Sequence, residues 1–154
     1  MQRTYIKDLI GKVGEEVKIC GWVDVRRDHG KLIFVDLRDM TGKVQAVALP
    51  NHKEAVAVAS TIRSEWVVDV LGKVNPRPEK LVNLNEENGK IEMEIISITV
   101  LNEAVTPVMD ISGDGKEIDE EVRLKNRYLD LRRPRMQKNI RNRHKVMMLT
   151  RNIL

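Results

Sequence analysis

Residues 16–49 read EVKICGWVDVRRDHGKLIFVDLRDMTGKVQAVAL, and the way this stretch divides decides the fold. In 16–25, Val17, Ile19, Val23 and Val25 alternate with Lys18, Trp22 and Asp24, the period of a half-buried strand. Gly21 inside it points to a bulge. DHGK is a turn, 31–38 a second strand, MTG a second turn and 43–49 a third strand. In the second strand Ile33, Val35 and Leu37 share one face, the natural interior, and Leu32, Phe34, Asp36 and Arg38 share the other. In the third, Val44, Ala46 and Ala48 point in, which leaves Lys43 and Gln45 on the side of Phe34. Arg26 and Arg27 end the first strand on opposite faces. Strict alternation sends Arg27 inward unless a bulge or the strand end releases it.

Working outward, NHKEAVAVASTIRS offers Asn51 as an N-cap and a helical apolar stripe of Ala55, Val58, Ala59 and Ile62. A fourth strand is expected over 66–74, a polar loop NPRPEKLVNLNEENG after it, and a fifth strand over 91–101. Three strands, a helix and two strands is the order of an OB-fold. The expectation is therefore a mainly β, five-stranded Greek-key barrel with one helix between strands three and four.

The chain has 27 Lys and Arg against 23 Asp and Glu, distributed unevenly. Residues 123–154 hold 11 of the basic residues and a single acid, Asp130, leaving 16 basic and 22 acidic residues before them. A basic end of this density suits a polyanion or an acidic protein surface, or is a solvated helix. One cysteine, Cys20, excludes an internal disulfide and fits a reducing, cytoplasmic setting. No apolar run has membrane-spanning length.

Phe34 is the only phenylalanine, and an outward ring flanked by Arg, Lys and Gln has the chemistry of a single-stranded nucleic-acid platform. The ring stacks on a base, the amide reads base edges and the cations hold phosphates. The plainer reading, a ring packed under a loop or a second domain, stays open at this point. His29 and His52 lack a second ligand at metal spacing, and Glu92 and Glu94 read as solvated. No phosphate loop, Ser/His/Asp order or HExxH is present, so no catalytic chemistry is visible and no cofactor is assigned to these residues.

Residues 1–104 form the expected barrel domain, and 105–122, with TPVMDISGDGKEIDEE, an acidic linker. Residues 123–154 are expected to be helical, with Ile140, Met147 and Leu154 and the offset set Val146, Leu149 and Ile153 making an apolar face. That face, ending without a C-cap, suggests a chain cut from something longer or a docking helix.

GWVDVRRDHGKLIFVDLRDMTGKVQ, RLKNRYLDLRRP and the opening RTYIKDL together resemble the N-terminal part of bacterial-type aspartyl-tRNA synthetases, a class II family. Lysyl- and asparaginyl-tRNA synthetases share the barrel and are the near alternatives; a stand-alone OB-fold single-strand binder and a helix-docking interaction protein are the distant ones. The resemblance implies a barrel that grips the tRNA anticodon loop. It gives Phe34 the middle anticodon base to stack on, Gln45 the bases to contact, and Arg27 a place at the same site. Arg77, Glu79 and Asn83 match a segment lining the pocket more loosely. Relatives carry Leu or His at the position of His29, a choice associated with how strictly Asp-tRNA is told from Asn-tRNA. The resemblance also implies that 123–154 opens a catalytic domain that dimerises and uses ATP and Mg2+ to make aspartyl-adenylate. Without its motifs this stretch alone is expected to be inactive.

Overall fold

The computed structural model describes residues 2–153 except Asn85, Glu87 and Ser112. Two compact units emerge, Met1–Thr106 and Pro107–Leu154.

The first unit is a closed barrel of five strands, β1 (Glu16–Asp28), β2 (Ile33–Arg38), β3 (Lys43–Ala48), β4 (Val67–Pro76) and β5 (Ile91–Asn102), in the order β1-β2-β3-β5-β4. Neighbours are antiparallel except β3 and β5, which close the barrel in parallel through Ala46, Val47 and Ala48 against Met93, Glu94 and Ile95. This is the OB-fold expected from the strand order. The alternation in β2 and β3 holds: Ile33, Val35, Leu37, Val44, Ala46 and Ala48 are all buried in one core with Val17, Ile19, Val70 and Met93. Small residues on β3 let the narrow barrel close around the larger aliphatics of β2 and β5.

The two open ends of a barrel must also be sealed. Helix α1 (Lys53–Thr61) covers one end with Ala55 and Ala59, and Ile62 follows them into the core. Asn51 is not its cap. His52 takes that position without a side-chain cap bond, because its ring is engaged elsewhere. The N-terminal 3-10 helix Ile6–Lys12, which the apolar pattern did not announce, brings Ile6 and Leu9 into the same core. Asp39 holds its entry: Oδ2 accepts from the Ile6 amide at 3.0 Å, and Oδ1 from the Thr41 amide and hydroxyl and the Gly42 amide. One buried carboxylate thus closes the β2–β3 turn and anchors the chain's start.

The expected bulge lies at Asp24 rather than at Gly21. The β1–β2 register steps from Val23–Leu37 to Val25–Asp36, while β1 pairs with β4 evenly through Gly21. Gly21 is required for close approach instead, since a Cβ there would sit 2.5 Å from the Arg38 carbonyl oxygen. The extra residue reverses the alternation, so Val25, expected in the core, is 39% exposed.

In the second unit, α2 (Glu120–Lys125) is capped by Asp119, whose carboxylate accepts from the Glu121 amide at 2.8 Å. Two helices follow, α3 (Arg127–Asp130) and α4 (Pro134–Ile153). Of the stretch expected to be a linker, the residues from Pro107 onward belong to this unit, and Asp110, Gly113 and Gly115 surround Arg133, which is 1% exposed. Its Nε donates to Asp130, and Nη1 and Nη2 donate to the carbonyls of Gly113 and Asp110. Gly115 adopts φ +78°, and a Cβ there would meet Arg133 Nε at 2.7 Å. No residue of α4 is buried; Val146, Leu149 and Ile153 of its apolar face are exposed, and Leu154 lies outside the described residues.

Asp39→Ala should lower the stability of the barrel by about 2–4 kcal/mol in urea unfolding, because it strands amides that have no other acceptor. A loss below about 0.5 kcal/mol, the range of an ordinary surface change, would show that water replaces the carboxylate.

Candidate nucleic-acid interface

The side chains that share the outer face of β1, β2 and β3 follow from register. Arg27 pairs with Phe34 and Phe34 with Val47; Val25 pairs with Asp36 and Asp36 with Gln45; Trp22 pairs with Arg38 and Arg38 with Lys43. Arg27 reaches this face only because Asp24 adds a residue to β1. Phe34 is half-buried and outside the hydrophobic core. His29, in the β1–β2 turn, meets it edge-to-face, with ring centroids 5.4 Å apart and planes at 88°.

A charged network surrounds the ring. Asp36 is buried; it accepts from Arg27 Nη2 at 2.9 Å and has Lys43 Nζ at 3.7 Å. Burial pushes the Asp36 carboxyl above the usual aspartate range, outweighing the pull of Arg27 and Lys43. For Lys43 burial acts downward, yet its bond to Asp24 at 2.7 Å and the charges of Asp24 and Asp36 raise it overall. Arg38 joins Asp24 to Glu65 and lies over the Trp22 ring, 5.7 Å from its centroid.

Gln45 extends the surface toward the β4–β5 loop. Arg77 Nη2 donates to Gln45 Oε1 at 2.5 Å, and the Arg77 amide donates to Lys90 O at 2.9 Å. A guanidinium has no acceptor, so the amide oxygen must face it and the Gln45 NH2 points the other way. Of the residues singled out from sequence, Arg27, His29, Phe34, Gln45 and Arg77 converge here. Glu79 is exposed in a 3-10 turn, Glu79–Leu81, and Asn83 is held in the loop through its amide to Gly89 O. The Glu79 side chain makes no hydrogen bond or ion pair to this cluster among the described residues.

Sequence reasoning missed a neighbouring group. Glu94, expected to be solvated, is half-buried: Oε1 lies 3.2 Å from His52 Nε2, and Oε2 accepts from Asn75 at 3.3 Å. Glu94 is in register with Val47, which is buried although its parity puts it on the outer face. The outward parity of Val47 beside Phe34 was the available signal that this face is partly covered.

A barrel of this topology carries an outward aromatic ring, an amide and guanidinium groups on one face, and the chain belongs to the family of OB-fold nucleic acid binding domains, matched over residues 17–101. Residues 119–154 match the class II tRNA synthetases (D, K and N). The chain is 49% identical over 152 residues to the aspartate–tRNA(Asp/Asn) ligase of Bacillus subtilis, an alignment covering 97% of this chain and 26% of that protein. It is 51% identical over 146 residues to the aspartate–tRNA(Asp/Asn) ligase of Heliobacterium modesticaldum, covering 94% of this chain and 24% of that protein. The asparaginyl-tRNA synthetase of Pyrococcus horikoshii superposes with a TM-score of 0.79 at 25% identity, over 100% of this chain and 34% of that one. The chain spans about a quarter of the length of the curated relatives it matches. The resemblance read from the two longer motifs holds.

NMR titration of the Asp36 carboxyl should give a midpoint above the ordinary aspartate value. Its folded form keeps the proton to higher pH than the unfolded chain. Its contribution is therefore fully present below the unfolded pKa and is lost as pH rises through the folded one. Urea unfolding between about pH 3 and 6 should show that slope in the parent chain and a flatter one in Asp36→Asn. An ordinary midpoint would mean that solvent reaches the carboxylate.

Proposed function

We propose that this chain is the anticodon-recognition module of an aspartate–tRNA ligase. The observation that carries this reading is the outward Phe34 ring, ordered by His29 and bordered by Arg27, Gln45 and Arg77. In it Phe34 stacks on the middle anticodon base and the free Gln45 NH2 donates to a base acceptor. Arg27 holds the adjoining phosphate. Arg77 is a positioning residue that fixes the Gln45 amide, and Glu79 and Asn83 shape the rim of the loop. Asp36, held between Arg27 and Lys43, keeps both cations pointed along the strand instead of collapsed on the ring.

The complete ligase joins aspartate to tRNA through an aspartyl-adenylate and works in the cytoplasm as a homodimer. Residues 123–154 enter its catalytic domain. ATP and Mg2+ supply phosphoryl activation there. Among the described residues no three His, Cys, Asp or Glu side chains converge on a metal site, and Arg27, Arg38 and Arg77 are committed to the network above. The residues at hand do not fit that group, and no step through it is derived; the 154-residue chain alone is inactive in this proposal. Among the described residues no helix is long and apolar enough to cross a membrane.

The test is binding to two anticodon stem-loops that differ only in the anticodon, one for aspartate and one for lysine. The chain should prefer the aspartate loop. Phe34→Ala should weaken it by about 1–3 kcal/mol without unfolding the barrel, and Gln45→Ala should narrow the preference more than it lowers the affinity. Equal binding of both loops would leave a generic single-strand binder. A collapse of Tm in Phe34→Ala would make the ring part of the core.

A further inference from the structure

The pair Arg26–Arg27 divides between two surfaces. Arg27 lies on the stacking face, whereas Arg26 pairs with the core residue Val35 at the rim of the barrel, and its guanidinium turns to the Ser60 carbonyl at the end of α1. There it lines an open groove of about 620 Å³ with Asp24, Ser60, Arg63 and Ser64. Arg63, Thr61 and Thr106 also line a second hollow of the same volume, which runs on to Trp66. The two form one trough with Arg63 at its middle, a guanidinium at one end and an indole at the other.

The trough is held in shape. Glu65, in the turn that presents Arg63 and Ser64, has φ +72°, a conformation unusual for a residue with a side chain. It is fixed by its amide to Val23 O and by Arg38 on its carboxylate. Trp66 Nε1 donates to Ala104 O at 3.1 Å, which sets the indole. Among the described residues neither Arg26 nor Arg63 has a carboxylate partner. The acid in the first groove, Asp24, is neutralised by Arg38 and Lys43; Glu103 lines the other hollow. Two guanidinium groups with no carboxylate to neutralise them, one of them oriented by the Ser60 carbonyl, stand beside a half-buried indole and suit a phosphodiester backbone.

We propose that this trough is a second RNA-binding site that takes the sugar–phosphate backbone of the strand leaving the stacking face, with Arg26 and Arg63 on consecutive phosphates. The proposal rests on the RNA-binding reading above and adds a site that recognises no base.

Affinity of the full chain for the aspartate anticodon stem-loop, measured against KCl concentration, tests it in the parent, Arg63→Gln and Arg26→Gln/Arg63→Gln. Each lost phosphate contact should make the slope of log affinity against log salt shallower by roughly 0.7, while the preference for the aspartate over the lysine loop is unchanged. Among the described residues the Arg63 side chain makes no hydrogen bond or ion pair, so the single variant remains informative should the double variant lose stability. Phe34→Ala should lower affinity at an unchanged slope. A hairpin with an unrelated loop separates the two readings. If the parent shows no anticodon preference yet its weak binding still depends on Arg63, the anticodon reading fails and the trough stands. An unchanged slope and affinity in Arg63→Gln on both RNAs overturns the trough. So does arginine-dependent binding of inorganic phosphate without any effect on RNA.

Discussion

One extra residue in β1 sets what the barrel shows to solvent. Up to Val23 the odd positions of β1 face the core; beyond Asp24 they face out. Had the strand run without the bulge, Arg27 would point into an interior where Val35, Leu37 and Ala46 are wholly apolar. A guanidinium there would cost several kcal/mol with no acceptor to meet it. The bulge instead sets Arg27 beside Phe34 and over Asp36. Asp24 also ties Arg38 and Lys43 together, so the residue that breaks the ladder organises the charges on the face it creates.

Much of this was legible in the sequence, for a physical reason. Period-2 alternation in β2 and β3 separates an interior from an exterior without knowledge of any other element, and it put Phe34, Asp36, Lys43 and Gln45 on one side. The order of strands and helix carried the barrel. What stayed hidden depends on contacts distant in sequence. Gly21 reads as a bulge until the Arg38 carbonyl is seen against it. His52, not Asn51, stands at the N-cap of α1, and its ring turns to Glu94, 42 residues away. Asn83 and Glu79 lie in a loop whose course no periodicity encodes.

The basic C-terminal stretch shows the limit of counting charges. Arg123, Arg127 and Arg133 are spent inside the second unit, on Gly115 O, on Asp130, and on Asp130 with two further carbonyls. Asp130 and Arg133 are both almost wholly buried, and such a pair endures only because the carbonyls of Asp110 and Gly113 satisfy the remaining donors. That requirement is what folds the acidic segment onto the helices. A composition rich in Pro, Gly and Asp suggested an acidic linker, yet Gly115 supplies the close backbone approach that the buried Arg133 guanidinium needs.

The state of the Phe34 ring bears on the stacking role proposed for it. A core ring would be sealed by aliphatics; a free ring would rotate and lose entropy on binding. Phe34 is neither, being half-buried and braced by one edge-to-face contact with His29. Such a contact contributes about 0.5–1.5 kcal/mol, enough to bias the ring's orientation before a ligand arrives. A stacked base contributes roughly 1–3 kcal/mol, so the base prevails where the two compete. In the proposed function His29 is therefore a brace that a stacked base outbids.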